Sequence, residues 1–255
     1  MKRIDLNCDM GELPKAIVDG TQEALMQSLT SVNIACGGHA GDEETMKATI
    51  EQALRWKLAI GAHPGYPDRA NFGRVELDLP AETVSDFVFE QVRALAEIAS
   101  GFGIRVAHVK PHGALYNQAA RNRVLAEAIA KGVARWNRDV VLIGLAGSPM
   151  LDVFREAGFA VAAEAFADRR YEQDGSLRSR SRFDDALILD PAEASRQAVS
   201  IVQQRIVITS GGIEIAVNAQ TLCIHGDTPG APGVAAAVAQ SLSQAGVTLT
   251  ALSQS

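Results

Sequence analysis

Four of the five histidines in this chain follow a short apolar stretch and precede a turn rich in glycine or proline. In residues 32–42, small and β-branched residues typical of a strand lead through two glycines to His39, and Asp42 can then cap a helix. The other histidines of this kind are His63, His112 and His225. The chain therefore alternates strands with helices and places imidazoles at the carboxyl ends of the strands.

The first strand, residues 4–9, indicates that the sheet is closed. Its polar residues Asp5, Asn7 and Asp9 alternate with apolar residues, so they point to one side. In an open sheet covered by helices on both faces these side chains would be buried at high cost, whereas in a closed barrel they can face a polar mouth. The alternation of strands and helices thus predicts a parallel α/β barrel, with its active site at the carboxyl ends of the strands.

Length and composition fit a single barrel domain over residues 1–255. The hydrophobic content of 47% is ample for one large α/β core. Two weakly patterned stretches, residues 160–165 and 206–217, leave open whether the barrel has seven or eight strands. The second of them suggests a small hairpin-like insertion.

The charge pattern narrows the partners and the compartment. The formal net charge is -6 and no basic stripe is present, which argues against nucleic acid and anionic membrane surfaces. The first residues contain no secretory apolar core, and no apolar run reaches membrane-spanning length. The three cysteines have no zinc-type spacing, and an odd count suits a reduced compartment. We expect a soluble, cytoplasmic protein.

A barrel brings the strand ends together, so the four strand-end histidines are expected to form one functional cluster. Asp9, His39 and His63 come from three successive strands and make a plausible Zn²⁺ or Mn²⁺ ligand set with open positions for water. Glu12 adds a carboxylate near the same mouth. No compact His-Glu-x-x-His motif is present, so direct acid–base or hydrogen-bonding roles are the alternative.

Two further pairs lie at strand ends. Lys110 and His112 are two residues apart and therefore share a face, with Tyr116 on the following turn, so they can hold a carboxylate or phosphate and move a proton. The alternative is that Lys110 pairs with a carboxylate of the mouth. His225 and Asp227 form a similar pair after the last strand, where we expect a functional role.

The segment around Arg169 is ambiguous. Residues 168–171 can form either a solvated loop or an anion clamp. Farther along, Arg178, Arg180 and Arg182 alternate, which is typical of an exposed extended segment.

Six blocks that contain these residues resemble the LamB/YcsF family, and they span almost the whole chain in family order. They are DLNCDMGE at 5–12, NIACG at 33–37 with HAGD at 39–42, GAHPGYPD at 61–68, VKPHGALYN at 109–117, FADR at 166–169 with Tyr171, and HGDTP at 225–229. The resemblance implies an irregular (β/α) barrel like that of glycoside hydrolases and deacetylases. Gly38 stands where the family usually has Phe, and Leu13-Pro14 stands where Ser-Phe is usual. Both departures border the mouth and bear on substrate detail.

Members of the LamB/YcsF family form the A subunit of the prokaryotic 5-oxoprolinase. The resemblance therefore implies ATP-dependent hydrolysis of the lactam 5-oxoproline to L-glutamate, in a complex with subunits B and C and with ATP as co-substrate. A lactam is a poor electrophile, and phosphorylation of its oxygen makes ring opening by water feasible. The chain has no P-loop, so any ATP it uses is held in another way.

On this hypothesis, Lys110 and Arg169 hold anionic oxygens, and His39 and His63 orient the substrate or hold a metal. Asp9 or Glu12 activates water, and His112 or His225 protonates the departing nitrogen. The full set of expected catalytic residues is Asp9, Glu12, His112, His225 and Asp227. The expected substrate-binding residues are Asn7, His39, His63, Lys110, Tyr116 and Arg169.

Two other classes of function remain open. A stand-alone metal-dependent amidase or deacetylase, acting on a small amide or carbohydrate, would need neither ATP nor partners and would lose activity to chelators. A non-catalytic subunit that only organises its partners would tolerate substitutions in the mouth, but assembly does not require carboxylates and histidines crowded at strand ends.

Overall fold

Ten strands are present in the computed structural model, which describes residues 2–228 and 230–252; Pro229 of the last family block lies outside the described residues. The strands are β1 (Lys2–Met10), β2 (Ser31–Ala35), β3 (Ala59–His63), β4 (His108–Val109), β5 (Val141–Leu145), β6 (Ala160–Phe166), β7 (Ile206–Ile208), β8 (Glu214–Ala216), β9 (Thr221–Ile224) and β10 (Val247–Leu249). In the order β1–β2–β3–β4–β5–β6–β9, seven of them pair in parallel, and β9 returns to β1. The predicted α/β barrel is confirmed, with seven strands.

The two weakly patterned stretches belong to different parts of the structure. Residues 160–165 belong to the barrel strand β6, whereas residues 206–217 form the antiparallel pair β7–β8 outside it, as the hairpin-like pattern suggested. Strand β10, which the sequence did not indicate, pairs in parallel with the start of β1 from Lys2↔Val247 to Ile4↔Leu249.

Helices follow most of the strands. They are α1 (Pro14–Val18), α2 (Thr21–Met26), α3 (Glu43–Arg55), α4 (Ala81–Gly101), α5 (Gly113–Ala119), α6 (Arg123–Trp136), α7 (Met150–Glu156), α8 (Pro191–Gln204) and α9 (Ala231–Gln244), with 3₁₀ turns at Arg69–Asn71 and Asp184–Ala186. Within the described ranges, no helix is both long enough and apolar enough to span a bilayer.

Helix α3 begins where the sequence predicted. The side chain of Asp42 accepts a hydrogen bond from the backbone N–H of Thr45 at 2.8 Å, and it satisfies one of the free N–H groups of the first turn. Met46, Ile50 and Ala53 form the buried face of the helix. This cap fixes the start of α3 just after His39, so the preceding turn stays at the mouth of the barrel.

Polar side chains of β1 point into the barrel, as their alternation predicted. Asp5 accepts hydrogen bonds from Ser31 Oγ at 2.8 and 2.9 Å. Asn7 Nδ2 donates to Glu164 Oε1 at 3.0 Å, and Asn33 Nδ2 donates to Asn7 Oδ1 at 2.7 Å. Because buried polar groups are costly without partners, this network is what allows a polar lining inside the sheet.

His108 lies inside the barrel below the mouth. Its Nε2 donates to Asn33 Oδ1 at 2.8 Å, and its ring occupies space that only a glycine leaves free, because a Cβ on Gly61 would lie 2.0 Å from His108 Nε2. Burial, and then the nearby ammonium of Lys110, lower the pKa of His108 to about 3. His108 therefore remains neutral as part of the barrel interior.

Candidate active site

A cavity of about 1130 Å³ opens at the carboxyl ends of the barrel strands. This is where parallel barrels place their binding sites, because loops from many strands converge there. The expected site residues that line it are Asp9, Glu12, His63, Lys110, His112, Tyr116, Arg169, His225 and Asp227. Two others lie deeper: His39 is 2% exposed behind the cavity wall, and Asn7 is fully buried in the barrel interior.

Three imidazoles surround one carboxylate oxygen. Glu12 Oε1 lies 2.9 Å from His39 Nε2, 3.1 Å from His112 Nδ1 and 3.7 Å from His63 Nε2. Glu12 reaches this position because Gly11, with φ +74°, turns the chain sharply after β1. We call these four residues, Glu12, His39, His63 and His112, the histidine–glutamate cluster.

Hydrogen bonds to the backbone fix the orientation of two of these rings. His63 Nδ1 donates to the carbonyl oxygen of Lys110 at 2.7 Å, and His112 Nε2 donates to that of Phe72 at 2.9 Å. The other ring nitrogens, His63 Nε2 and His112 Nδ1, then face each other at 2.9 Å beside Glu12. Two lone pairs at this distance require a proton or a cation between them.

The donor set of the cluster fits a divalent metal ion. One ligand atom from each of the four residues lies within 4.8 Å of the others. Imidazole nitrogens and a carboxylate are ligands that Zn²⁺ and Mn²⁺ accept, and a backbone carbonyl behind each ligating imidazole is the usual support. The sequence suggested Asp9 as the carboxylate of such a set. In the structure Glu12 has that position, and Asp9 Oδ2 lies beside it, 3.2 Å from His63 Nε2.

Burial and charge set the protonation of the cluster. Burial lowers the pKa of His39 to about 3, although the hydrogen bond to Glu12 acts in the opposite direction. For Glu12, burial disfavours the charged form, but the charge and hydrogen bond of His112 and the hydrogen bond of His39 together outweigh burial, so the pKa of the Glu12 carboxyl is well below its usual range. The cluster thus presents an ionised carboxylate and a neutral His39.

The ammonium group of Lys110 is bound by neighbouring side chains. Its Nζ lies 3.0 Å from Asp9 Oδ1, 2.9 Å from Glu164 Oε1 and 3.1 Å from Cys223 Sγ. Burial would lower the pKa of Lys110, but Asp9 leads the interactions that hold it well above the usual range. Burial in turn raises the pKa of Glu164. Lys110 is thus the buried cation of a lysine–carboxylate cluster, made of Asp9, Lys110 and Glu164, at the floor of the mouth.

His225 is held by one carboxylate. Its Nδ1 lies 2.9 Å from Asp168 Oδ1, its backbone N–H donates to Asp168 Oδ2 at 2.8 Å, and its ring stacks on Phe166 with centroids 5.5 Å apart. Burial lowers the pKa of His225, against the opposing effect of Asp168. Nε2 of His225 has no hydrogen-bond partner among the described residues, so this nitrogen is available to a molecule in the mouth.

Arginines occupy the opposite side of the mouth. Asp227 Oδ2 lies 2.5 Å from Arg74 Nη2 and 3.2 Å from Arg180 Nη1, so the carboxylate expected to be catalytic is bound by two guanidinium groups. Arg169, which is only 6% exposed, lines the same cavity. The expectation of an exposed segment at residues 178–182 is wrong for Arg178 and Arg180, whose side chains are each about four-fifths buried, and confirmed for Arg182.

Sequence reasoning missed four residues of the mouth: Arg74, Glu164, Arg180 and Cys223. Glu164 had a usable signal, since it is the one charged residue within an otherwise apolar strand. At Gly38, where the resembled family usually has Phe, a Cβ would lie 2.4 Å from Gln91 Oε1 and 2.6 Å from the carbonyl oxygen of Gly65. The local packing therefore excludes a side chain unless both Gln91 and the backbone at Gly65 move.

Comparison with known proteins extends over nearly the whole chain. The model of the LamB/YcsF family matches residues 4–255. Two similar relatives are the A subunit of 5-oxoprolinase from Chloroflexus aggregans, 48% identical over 249 residues with 98% of each chain covered, and that from Tolumonas auensis, 45% identical over 252 residues with 99% of this chain and 100% of the relative covered.

Solved structures also match this chain over nearly its whole length. The lactam utilization protein from Thermus thermophilus superposes with a TM-score of 0.90 at 40% identity, covering 98% of this chain and 100% of that one. A family 4 carbohydrate esterase from Streptomyces lividans superposes with a TM-score of 0.52 at 11% identity, covering 99% of this chain and 93% of that one. The second likeness concerns the fold alone.

Proposed function

The chain belongs to the LamB/YcsF family, and we propose that it is the A subunit of an ATP-dependent 5-oxoprolinase. In this proposal it hydrolyses the lactam of 5-oxoproline to L-glutamate together with subunits B and C. The relatives at 45–48% identity carry the name of that subunit over nearly their whole length. The observation that carries the proposal within this chain is the ionised Glu12 carboxylate, surrounded by three imidazoles at the edge of a large cavity.

The proposed reaction uses ATP because an amide resists attack by water. Transfer of the terminal phosphoryl group of ATP to the lactam oxygen releases ADP and makes the ring carbon electrophilic. Water then adds to that carbon, the C–N bond breaks and the nitrogen takes up a proton, which leaves an acyl phosphate on the side chain. A second water cleaves the acyl phosphate to glutamate and inorganic phosphate.

His225 is the residue we assign to proton transfer at the nitrogen. Asp168 binds Nδ1 of His225, which leaves Nε2 free for proton exchange with the substrate. Nε2 can accept a proton from water and donate it to the leaving nitrogen. His112 is less suited to this step, because its ring nitrogens already contact the Phe72 carbonyl and the Glu12 carboxylate. Glu12 and Asp9 are the carboxylates that can take a proton from the attacking water.

A metal ion would occupy the histidine–glutamate cluster. Glu12, His39, His63 and His112 would hold it, and when bound it would act as a Lewis acid on the substrate. The same residues orient water and substrate through hydrogen bonds, and the buried rings exclude bulk solvent from the carboxylate. Burial opposes ionisation of Asp9, but His63 and then Lys110 lower its pKa and keep it ionised at the floor of the mouth.

The test is an assay of glutamate release from 5-oxoproline by the purified chain, alone and with subunits B and C, each with and without ATP. We expect release only when ATP and both partners are present. Release by the chain alone, without ATP and abolished by a chelator, would instead assign a metal-dependent amidase or deacetylase. No release in the complete mixture would overturn the proposal.

A further inference from the structure

Arg169 is a buried cation with an unused donor. Its residue is 6% exposed, its Nη2 donates to the carbonyl oxygen of Arg178 at 2.7 Å, and its Nε has no hydrogen-bond partner within the part of the chain that the structure describes. Burial, and then the nearby Arg180, lower the pKa of Arg169 to about 10. An unpaired buried guanidinium is costly, so this arrangement points to an anion that comes from outside the chain.

Arg180 contributes a second set of unused donors. Its Nη1 is bound to Asp227, but Nε and Nη2 are buried and no described residue accepts from them. Nε and Nη2 form the edge of the guanidinium that binds carboxylates and phosphates with two parallel hydrogen bonds. Asp227 holds both Arg180 and Arg74 at this side of the cavity, so it positions the arginines.

Charges in this region do not cancel. Three guanidinium groups, those of Arg74, Arg169 and Arg180, face two carboxylates, Asp168 and Asp227, and Asp168 is already bound by His225. The arginine side of the mouth therefore carries an excess positive charge next to the cavity.

We propose that Arg74, Arg169 and Arg180 form a subsite for a phosphoryl group. This inference rests on the proposed function, in which the subsite holds the phosphoryl group of the activated lactam while its ring opens. A carboxylate would be satisfied by the free edge of Arg180 alone, whereas Arg169 Nε supplies a further donor that matches the third terminal oxygen of a phosphoryl group.

The position of the subsite suits this role. The Arg74 guanidinium lies over the ring of Phe72, 4.9 Å from its centroid, and the same ring contacts the rings of His39 and His112 at centroid distances of 5.6 and 5.5 Å. One phenylalanine ring therefore links Arg74 to the histidine–glutamate cluster. A phosphoryl group on the lactam oxygen can reach the arginines while the ring carbon faces the cluster.

The experiment is a calorimetric titration of the full chain with inorganic phosphate, in the presence of a chelator so that no metal ion in the mouth accounts for binding. We expect saturable binding that Arg169→Gln and Arg180→Gln each weaken about tenfold, the effect of one charge-assisted hydrogen bond. Arg170→Gln is the matched control, because it removes the same charge next to Arg169, at a position that pairs with Glu193 and does not line the cavity. Its affinity is expected to stay within about twofold of the unsubstituted chain.

Several results would overturn the subsite. These are the absence of saturable phosphate binding, an equal loss in Arg170→Gln, or displacement of phosphate by an equal concentration of acetate, which would mark a carboxylate site instead. If Arg169→Gln does not fold, Arg180→Gln, which lies on a half-buried loop, tests the subsite on its own. ATP-dependent glutamate release without phosphate binding would reject the subsite and leave the proposed function intact. Phosphate binding without glutamate release in the complete mixture would reject the proposed function and leave the subsite intact.

Discussion

The two sides of the mouth differ in how their charges are matched. On the side built by β1 to β4 together with Glu164 of β6, each ionised side chain of the histidine–glutamate and lysine–carboxylate clusters has a charged or imidazole partner within about 3 Å. Glu164 Oε2 and His39 Nδ1 are the atoms of these clusters that are buried without a hydrogen-bond partner among the described residues. On the side built by the loop after β6 and the end of β9, guanidinium N–H groups of Arg169 and Arg180 are buried without acceptors among the residues described. The first side is organised before a substrate arrives, whereas the second is completed by an anion.

This difference separates two roles within one cavity. Preorganised groups stabilise charge as it develops in a reaction, because they need no rearrangement at that moment. Unmatched cations instead favour the bound state of an anionic molecule. Removing a group from the matched side should therefore impair chemistry or folding, and removing one from the unmatched side should impair binding.

The largest effect is expected at the centre of the matched side. Glu12→Gln removes the negative charge that three imidazoles face, and we expect glutamate release by the complete complex to fall about 10³-fold, in the range of general acid–base groups. Steady-state assays with 5-oxoproline and ATP measure this. The control is Glu76→Gln at the cavity rim, whose carboxylate pairs with Arg121 on the surface. Activity of Glu12→Gln within tenfold of the unsubstituted chain would contradict the role of the cluster.

A large loss of stability is expected at the floor of the mouth. Lys110→Met leaves Asp9 and Glu164 buried without their cation, and breaking a buried pair in this way costs about 3–5 kcal/mol of the free energy of unfolding. Urea denaturation followed by circular dichroism measures it. The matched control, Lys131→Met, breaks an exposed pair with Glu82 and should change stability far less. Equal losses in the two variants would show that the lysine–carboxylate cluster is not held by its charges.

The matched side was largely predictable from the sequence because regular structure determines it. Strand ends of a parallel barrel meet at one edge, so His39, His63 and His112 had to approach each other once the strands were assigned. The expectation that His225 joins the same cluster is wrong, because Asp168 holds its ring at the end of β9. The alternation in β1 fixed which face of that strand is polar. Choosing Glu12 over Asp9 as the carboxylate within the cluster was not predictable, since it depends on the turn at Gly11 with its positive φ.

The unmatched side was largely unpredictable because loops build it. Arg74 and Arg180 come from loops outside the helices and strands, and no regular pattern predicts where their side chains point. The alternating arginines at 178, 180 and 182 suggested solvent exposure, but the loop folds over the mouth. Short elements were missed for the same reason, since α1 and β10 have only five and three residues.

A smaller effect is expected in the pH dependence of stability. His108 has a pKa of about 3 in the folded chain against about 6.5 when unfolded, so between these values the unfolded chain binds more protons. Its contribution is complete above pH 6.5 and is lost as the pH falls toward 3. We expect His108→Gln, which keeps a donor for Asn33, to reduce the decline between pH 6 and 4 by about 1.4 kcal/mol per pH unit. Urea denaturation across this range measures it, and an unchanged slope would contradict a neutral buried His108.

The smallest effect on stability is expected on the unmatched side, and it is the sharpest contrast with Lys110. Arg169→Met removes a buried cation with an unused donor and loses one hydrogen bond to the Arg178 carbonyl, so the free energy of unfolding should stay within about 1 kcal/mol of the unsubstituted chain. Phosphate at ten times its dissociation constant should stabilise the unsubstituted chain by about 1.4 kcal/mol, and the variant, with an affinity about tenfold lower, by only about 0.4 kcal/mol. Arg170→Met, which breaks the neighbouring pair with Glu193, is the control and should keep the response to phosphate. A loss in Arg169→Met as large as that in Lys110→Met would mean that the guanidinium is a matched structural group, and the two sides of the mouth would then not differ in the way proposed.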